Sequence, residues 1–258
     1  MAFIHGIPLK KQFGQHFLRQ DSIVHTMIAH VALAGANVLE VGPGEGFLTR
    51  HILQQPVERL WSFEIDTDWV HHLQATITDP RFTVFEENIL DVDFSRFREH
   101  APWVLLANLP YQITFPILRM LHAHRDIITH GVFMIQEEVA QKLVKTSGRG
   151  YGFPSLFYNH YFELEMLTKV PPTAFYPPPK VFSRLVYFKA KPAVVPIPDE
   201  ENFWKFIKIC FHQPRRTLRN NLAQSQYDLE KVPQEQLALR AQQFLMDDLL
   251  KLWDLVRG

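Results

Sequence analysis

Trp103-Val104-Leu105-Leu106-Ala107-Asn108-Leu109-Pro110-Tyr111 decides how this chain is read. Five consecutive apolar residues without polar alternation fit a strand buried on both faces, the pattern of a parallel sheet. Asn108 and Pro110 end the run, and the carboxyl end of such a strand is where open α/β sheets bind ligands. The tetrapeptide Asn108-Leu109-Pro110-Tyr111 places an amide, a proline-stiffened backbone and an aromatic face at one spot. That set suits a planar base carrying an exocyclic amine.

Similar runs lie on either side, at residues 37–41, 60–65 and 81–85 before it and 131–136, 162–169 and 183–189 after it, with helical stretches between. An amphipathic stretch at 23–31 precedes them all. This alternation predicts an α/β fold, a doubly wound sheet with helices on both faces.

Glu40-Val41-Gly42-Pro43-Gly44-Glu45-Gly46 follows the first run and opens a helical stretch at 47–53. Glycines there permit a tight turn and close approach of a ligand to the backbone. Alone, the pattern is a weak signal that also fits an ordinary strand-to-helix turn or the fingerprint of a dinucleotide dehydrogenase. Glu64 narrows the choice, because it stands 18 residues after Gly46 at the end of the second run. A carboxylate at that point accepts ribose hydroxyls, each charge-assisted bond contributing about 1.5–3 kcal/mol.

Asn88 ends the third run and Asn108 the fourth, so candidate ligand groups stand at positions 42, 64, 88 and 108, separated by 22, 24 and 20 residues. One β-α unit of that length returns each group to the same sheet edge. A dinucleotide enzyme keeps G-x-G-x-x-G and needs a second half-site, whereas the single nucleoside of S-adenosylmethionine needs only the first half of the sheet. S-adenosylmethionine is therefore the expected cofactor, with Gly42, Gly44, Glu64, Asn88 and Asn108 along its length.

Composition sets the outer limits. The 258 residues exceed one typical domain, and 47 % hydrophobic with 21 % charged residues is ordinary globular composition. The single cysteine, Cys210, rules out an internal disulfide and fits a buried thiol in a reducing compartment. No stretch approaches the ~18 uninterrupted apolar residues of a membrane span, so a cytoplasmic protein without membrane contact is expected. The 13 histidines include His71-His72 and His122-x-His124, which lack cysteine or carboxylate partners at ligand spacing, so no metal is expected.

Eight of the 18 prolines fall between Pro171 and Pro198, and the last three, Pro192, Pro196 and Pro198, mark a linker. Beyond it Phe203, Phe206, Ile207, Cys210 and Phe211 recur at helical spacing, as do Leu249, Leu250, Leu252, Trp253 and Val256. The expected organisation is a catalytic, cofactor-binding domain at 1–190 and a small all-α, RNA-binding domain at 199–258. Formal net charge is zero, so only local patches favour nucleic acid. Lys10, Lys11 and Arg19 form one, and Lys205, Lys208, Arg215, Arg216 and Arg219 form another without any acid between residues 202 and 224. A charge run is ordinarily a solvated helix face; the lack of acids favours a phosphate-binding surface.

The chemistry of the tetrapeptide follows from the amine it is expected to hold. An adenine amine is a poor nucleophile because its lone pair is delocalised into the ring. The side-chain oxygen of Asn108 and the backbone carbonyl near Leu109 or Pro110 can accept its two N–H groups, favouring a pyramidal nitrogen aimed at the methyl. Tyr111 can stack on the base, worth about 1–3 kcal/mol. No general base or metal is required, since the proton leaves to water after in-line displacement at an activated sulfonium.

These residues resemble the rRNA adenine dimethyltransferases, most closely the bacterial enzymes acting near the 3′ end of small-subunit rRNA. The likeness covers nearly the whole chain. Its specific segments are Lys11-Gln12-Phe13-Gly14-Gln15-His16-Phe17-Leu18, Glu40 to Gly46, Glu64-Ile65-Asp66, Asn108 to Tyr111, Tyr176-Pro177-Pro178-Pro179-Lys180-Val181-Phe182-Ser183, and Arg215-Arg216-Thr217-Leu218-Arg219-Asn220. The resemblance implies a Rossmann-like S-adenosylmethionine-dependent methyltransferase that dimethylates N6 of two adjacent adenosines. It further implies 16S rRNA within an immature small ribosomal subunit as partner, and a monomer. His16 and Leu18 then border the methionine end of the cofactor, Gly42 lies under it, Glu64 holds the ribose and Asn88 faces its adenine. Asn108 bridges cofactor and target, while Tyr111 and Phe182 are candidates to sandwich the target base.

Two positions depart from the resembled pattern: Asn88 stands where an aspartate is common, and Pro214 where a basic residue usually begins the cationic run. The rival functions are a large-subunit rRNA adenine methylase, a DNA adenine methyltransferase, which usually carries Asp-Pro-Pro-Tyr, and a non-catalytic ribosome-assembly or transcription factor. Intact Asn108 and Tyr111 argue against lost catalysis.

Overall fold

The computed structural model describes residues 3–257. Its centre is a seven-stranded sheet of β1 (Asn37–Val41), β2 (Arg59–Glu64), β3 (Phe82–Glu86), β4 (Trp103–Asn108), β5 (Ile128–Gln136), β6 (Phe162–Val170) and β7 (Ser183–Ala190). The spatial order is β3-β2-β1-β4-β5-β7-β6. The first five strands pair in parallel, and β7 runs antiparallel to β5. The order reverses between β1 and β4, so the doubly wound reading holds and the switch point lies between those two strands.

All seven strands fall within three residues of the expected runs. The reason is physical: Val38, Leu39, Leu60, Val104, Leu105 and Leu106 are buried, so the strands read as continuous apolar runs. The connecting helices are α1 (Asp21–Ala29), α2 (Phe47–Leu53), α3 (Thr67–Thr76), α4 (Thr114–Ala123) and α5 (Glu137–Leu143). Ile23, Val24 and Met27 of α1 and Ile52 of α2 join Val38, Leu60 and Val104 in one core cluster. Each such buried side chain contributes about 1.5–3 kcal/mol.

The chain separates into two compact units, Met1–Ala140 with Glu163–Ala190, and Gln141–Phe162 with Lys191–Gly258. The second holds α6 (Phe153–Tyr161), α7 (Glu200–Cys210), α8 (Leu218–Leu222), α9 (Gln234–Ala238) and α10 (Met246–Val256). A break thus falls at Ala190, and residues 141–162 group with the C-terminal helices. Within that unit the Trp204 indole donates to the Tyr161 hydroxyl at 2.9 Å, and the Trp253 indole to the Pro198 carbonyl at 2.8 Å. Cys210 is buried there, and burial pushes its thiol pKa well up, so it is inert. Among the described residues no helix is long and apolar enough to cross a membrane.

Candidate active site

A cleft of about 200 Å³ opens along the carboxyl ends of β1, β2 and β4 and the loop after β3. That is space for on the order of a dozen waters, too much for a single ion and enough for an extended organic ligand. Its wall includes His16, Leu18, Gly42, Gly44, Glu64, Asn88 and Asn108 to Tyr111.

The turn after β1 is built for close approach. Gly42 lies at φ +67°, and a Cβ there would meet nothing nearer than Pro110 Cδ at 3.9 Å, so the absent side chain leaves open cradle. Gly44 is different, because its φ is +54° and a Cβ would stand 2.6 Å from the Phe17 ring. The Gly44 N–H also donates to Glu64 Oε2 at 3.1 Å.

Glu64 ends β2 almost fully buried, and its Oε1 accepts the Ile65 and Asp66 N–H groups at 2.9 and 3.0 Å. Burial pushes its pKa above the usual carboxylate range, while the three N–H donors oppose that by favouring the ionised form. A carboxylate has about four acceptor sites. Oε2, with one N–H, keeps room for a hydroxyl donor from the cleft.

Asn108 Nδ2 donates to the His16 carbonyl at 3.1 Å. An acceptor placed against Nδ2 fixes the amide, so Oδ1 is the group Asn108 has to offer. The Pro110 carbonyl already accepts the Ile113 N–H at 3.1 Å, which favours the Leu109 carbonyl as the second acceptor. The Tyr111 hydroxyl bonds Ser183 Oγ at 2.7 Å, and Ser183 is fully buried, so the half-buried ring is held as a platform. The His16 ring lies 6.1 Å from it, near parallel, with Nδ1 bonded to the Pro177 carbonyl at 2.7 Å.

The chain matches the family described as Ribosomal RNA adenine dimethylase over residues 7–247. It is 40 % identical over 217 residues to Ribosomal RNA small subunit methyltransferase A of Laribacter hongkongensis, covering 83 % of this chain and 82 % of that one. The protein of the same name from Chlorobium chlorochromatii is 35 % identical over 97 % of this chain and 95 % of its own. The chain belongs to the ribosomal RNA adenine dimethylase family. Its fold is also that of a dimethyladenosine transferase from Plasmodium falciparum, with a TM-score of 0.77 at 21 % identity, 92 % of this chain and 96 % of that one being covered. The 23S rRNA methyltransferase ErmE superposes with a TM-score of 0.73 at 22 % identity, over 94 % and 100 % of the two chains.

Membership in the dimethylase family makes the chain a methyltransferase, and the remaining candidates fall into place unequally. Asn88 is exposed at the lip, where it caps the turn Ile89–Asp91: Oδ1 accepts the Leu90 N–H at 3.2 Å and Nδ2 donates to Asp91 at 2.7 Å. The amide rather than an acid fits here because a carboxylate at 88 would face Asp91. Phe182 lies outside the cleft wall, exposed, with Lys169 Nζ 4.4 Å from its ring centroid. It sits one residue from the serine that anchors Tyr111.

The cations also divide. Lys10 is tied to Asp66 and Asp68 at 2.5 and 2.8 Å, and Arg19 pairs with Glu45, so neither is an unpaired charge as the sequence patch had implied. The Lys11 side chain lies outside the described residues. Lys205 pairs with Glu201 at 2.7 Å, one residue before the acid-free stretch begins, and Lys208 lies 5.0 Å from the Phe153 ring centroid. Arg219 bonds Gln234, while Arg215 and Arg216 are exposed between α7 and α8. No group of three or more metal-ligating side chains occurs among the described residues.

Four contributors escaped the sequence. Ser183 closes the segment Tyr176 to Ser183, but nothing in the sequence links it to Tyr111. Glu40 lies inside the glycine motif and is buried in the cleft wall; Oε2 accepts Thr49 and Ser62 hydroxyls at 2.8 and 2.7 Å, and Oε1 has no partner. Burial raises its pKa to about 7. Gln15 and Asp66 meet across 51 residues at 2.9 Å, a contact no local pattern announces.

Proposed function

We propose that this protein transfers methyl groups from S-adenosylmethionine to N6 of two adjacent adenosines near the 3′ end of small-subunit rRNA, giving N6,N6-dimethyladenosine during ribosome biogenesis. The observation that carries this reading is the Asn108 amide, held by the His16 carbonyl so that Oδ1 is free at the switch point, in the cleft that Glu64 also lines.

The residues present fit the cofactor. Gly42 leaves open space for its backbone-hugging part, Glu64 Oε2 has capacity for a ribose hydroxyl, and the orphaned Glu40 Oε1 offers an acceptor to its amino-acid end. His16 and Leu18 wall that end, and Asn88 stands at the lip for its adenine. When bound, the cofactor supplies an electrophilic methyl on a sulfonium.

Asn108 Oδ1 and the Leu109 carbonyl then accept the two N–H groups of the target amine, which localises its lone pair toward the methyl. Pro110 holds that carbonyl in place. Tyr111 stacks on the base, and Phe182 covers it from the opposite, exposed side. After transfer the nitrogen's proton goes to water, and the amine, now secondary, can be held again through its remaining N–H.

The helical unit grips rRNA in this reading, through Lys208, Arg215, Arg216 and Arg219, with Lys205, Lys10 and Lys11 contributing less than a free cation does or by position alone. Such phosphate contacts position the RNA, and the pocket chooses the base. The protein acts as a monomer in the cytoplasm on 16S rRNA within an immature small subunit.

Incubating the purified protein with labelled S-adenosylmethionine and immature small subunits, then mapping the label, tests this. Label on two adjacent adenosines near the 3′ end supports it. Label in large-subunit RNA only, or none above a no-enzyme control, contradicts it.

A further inference from the structure

One wall of the cleft is not part of the central sheet. Residues 13 to 18 form it, ahead of α1. Phe17 and Leu18 pair with Tyr176 and Phe175 in a two-residue ribbon, too short to fix the preceding residues by itself. A polar clasp lies just upstream. The Asp66 side chain, fully buried, accepts the Gln15 amide on Oδ2 at 2.9 Å and the Lys10 ammonium on Oδ1 at 2.5 Å. Gln15 Oε1 in turn accepts the Lys10 backbone N–H at 2.8 Å. One glutamine amide thus closes the loop from Lys10 to Gln15 and ties it to the N-terminus of α3.

The next residue is His16, whose carbonyl faces Asn108 Nδ2. If that carbonyl turned away, the Asn108 amide would lose the one acceptor that distinguishes its two ends, and Oδ1 and Nδ2 would exchange places freely. A target amine meeting Nδ2 would face a donor against its own donors.

We propose that Gln15 is a positioning residue for methyl transfer: by bridging Asp66 to the Lys10 backbone it holds the His16 carbonyl against Asn108 Nδ2 and so keeps Asn108 Oδ1 turned to the reacting amine. This rests on the function proposed above. Gln15 need not touch either substrate to do so. Asp66 is the poorer place to test it, because its side chain also caps α3 by accepting the Asp68 N–H at 3.2 Å.

The test is Gln15→Ala, read in two ways. In single-turnover transfer to immature small subunits with saturating cofactor, the rate falls about ten-fold, while calorimetric affinity for S-adenosylhomocysteine changes less than three-fold. In ¹⁵N-labelled protein the Asn108 side-chain amide, identified by its loss in Asn108→Ala, exchanges protons with solvent at least ten-fold faster in Gln15→Ala than in the unsubstituted chain. Lys10→Met, which keeps the Gln15–Asp66 bond and the Lys10 backbone N–H, leaves that exchange within two-fold. An unaltered Asn108 exchange rate in Gln15→Ala, or a transfer rate within two-fold, overturns the proposal. Should the unsubstituted protein transfer no methyl at all, the proposed function fails, and the amide exchange still decides whether Gln15 orients Asn108.

Discussion

At the scale of single residues, the site is a set of acceptors whose capacity is limited by what already binds them. Glu40 shows this most clearly. Its pKa of about 7 against an ordinary 4.5 comes first from burial, with the Thr49 and Ser62 hydroxyls opposing. The folded state therefore holds the proton more tightly than the unfolded one. Its contribution to stability is complete below about pH 4.5 and is lost as the pH rises through about 7. Glu40→Gln removes this dependence. Thermal unfolding followed from pH 5 to pH 8 is expected to show a flatter profile for the variant, which gains on the order of 3 kcal/mol relative to the unsubstituted chain across that range. Parallel profiles contradict the assignment. Glu40 and Glu64 lie in segments that stand out in the sequence, yet their burial and their occupied lone pairs depend on Ser62, Gly44 and Asp66 being folded around them.

Among the elements, the strands were legible and the N-terminal strap of residues 13–18 was not. A buried parallel strand writes itself as an apolar run closed by a polar residue, so the places of Asn108 at the end of β4 and Glu64 at the end of β2 were recognisable. The ribbon of Phe17 and Leu18 on Phe175 and Tyr176 carries no period, because two residues cannot show one. Its dependence on the glycine turn is nonetheless strong. A methyl group at position 44 collides with Phe17, which packs on Trp69 at 5.0 Å, and must also be held at φ +54°. Gly44→Ala is expected to cost about 1–2 kcal/mol from the left-handed backbone alone and to push the strap outward. Hydrogen exchange should show faster opening of residues 13–18 with α4 unaffected; protection equal to that of the unsubstituted chain would mean that the turn and strap are independent.

For the whole molecule, the sequence placed the sheet and the C-terminal helices, but it assigned residues 141–162 by proximity in the chain. Those residues group with the helices that follow Ala190, and a segment that leaves one unit and returns to it gives no compositional warning. The N-terminal basic patch carries less free charge than its sequence indicates for a related reason. Absence of acids within a stretch says nothing of acids brought from elsewhere, and Asp66, Asp68 and Glu45 neutralise Lys10 and Arg19 from 26 or more positions away. The central proposal at the end of β4 is that the Asn108 amide presents an adenine amine for methylation. The measurement that bears on it most directly is mass spectrometry of small-subunit rRNA from cells whose only copy of this protein is Asn108→Ala. The two adjacent adenosines should lack methyl groups while the variant still accumulates and binds S-adenosylhomocysteine. Full dimethylation of both adenosines by that variant would contradict the account.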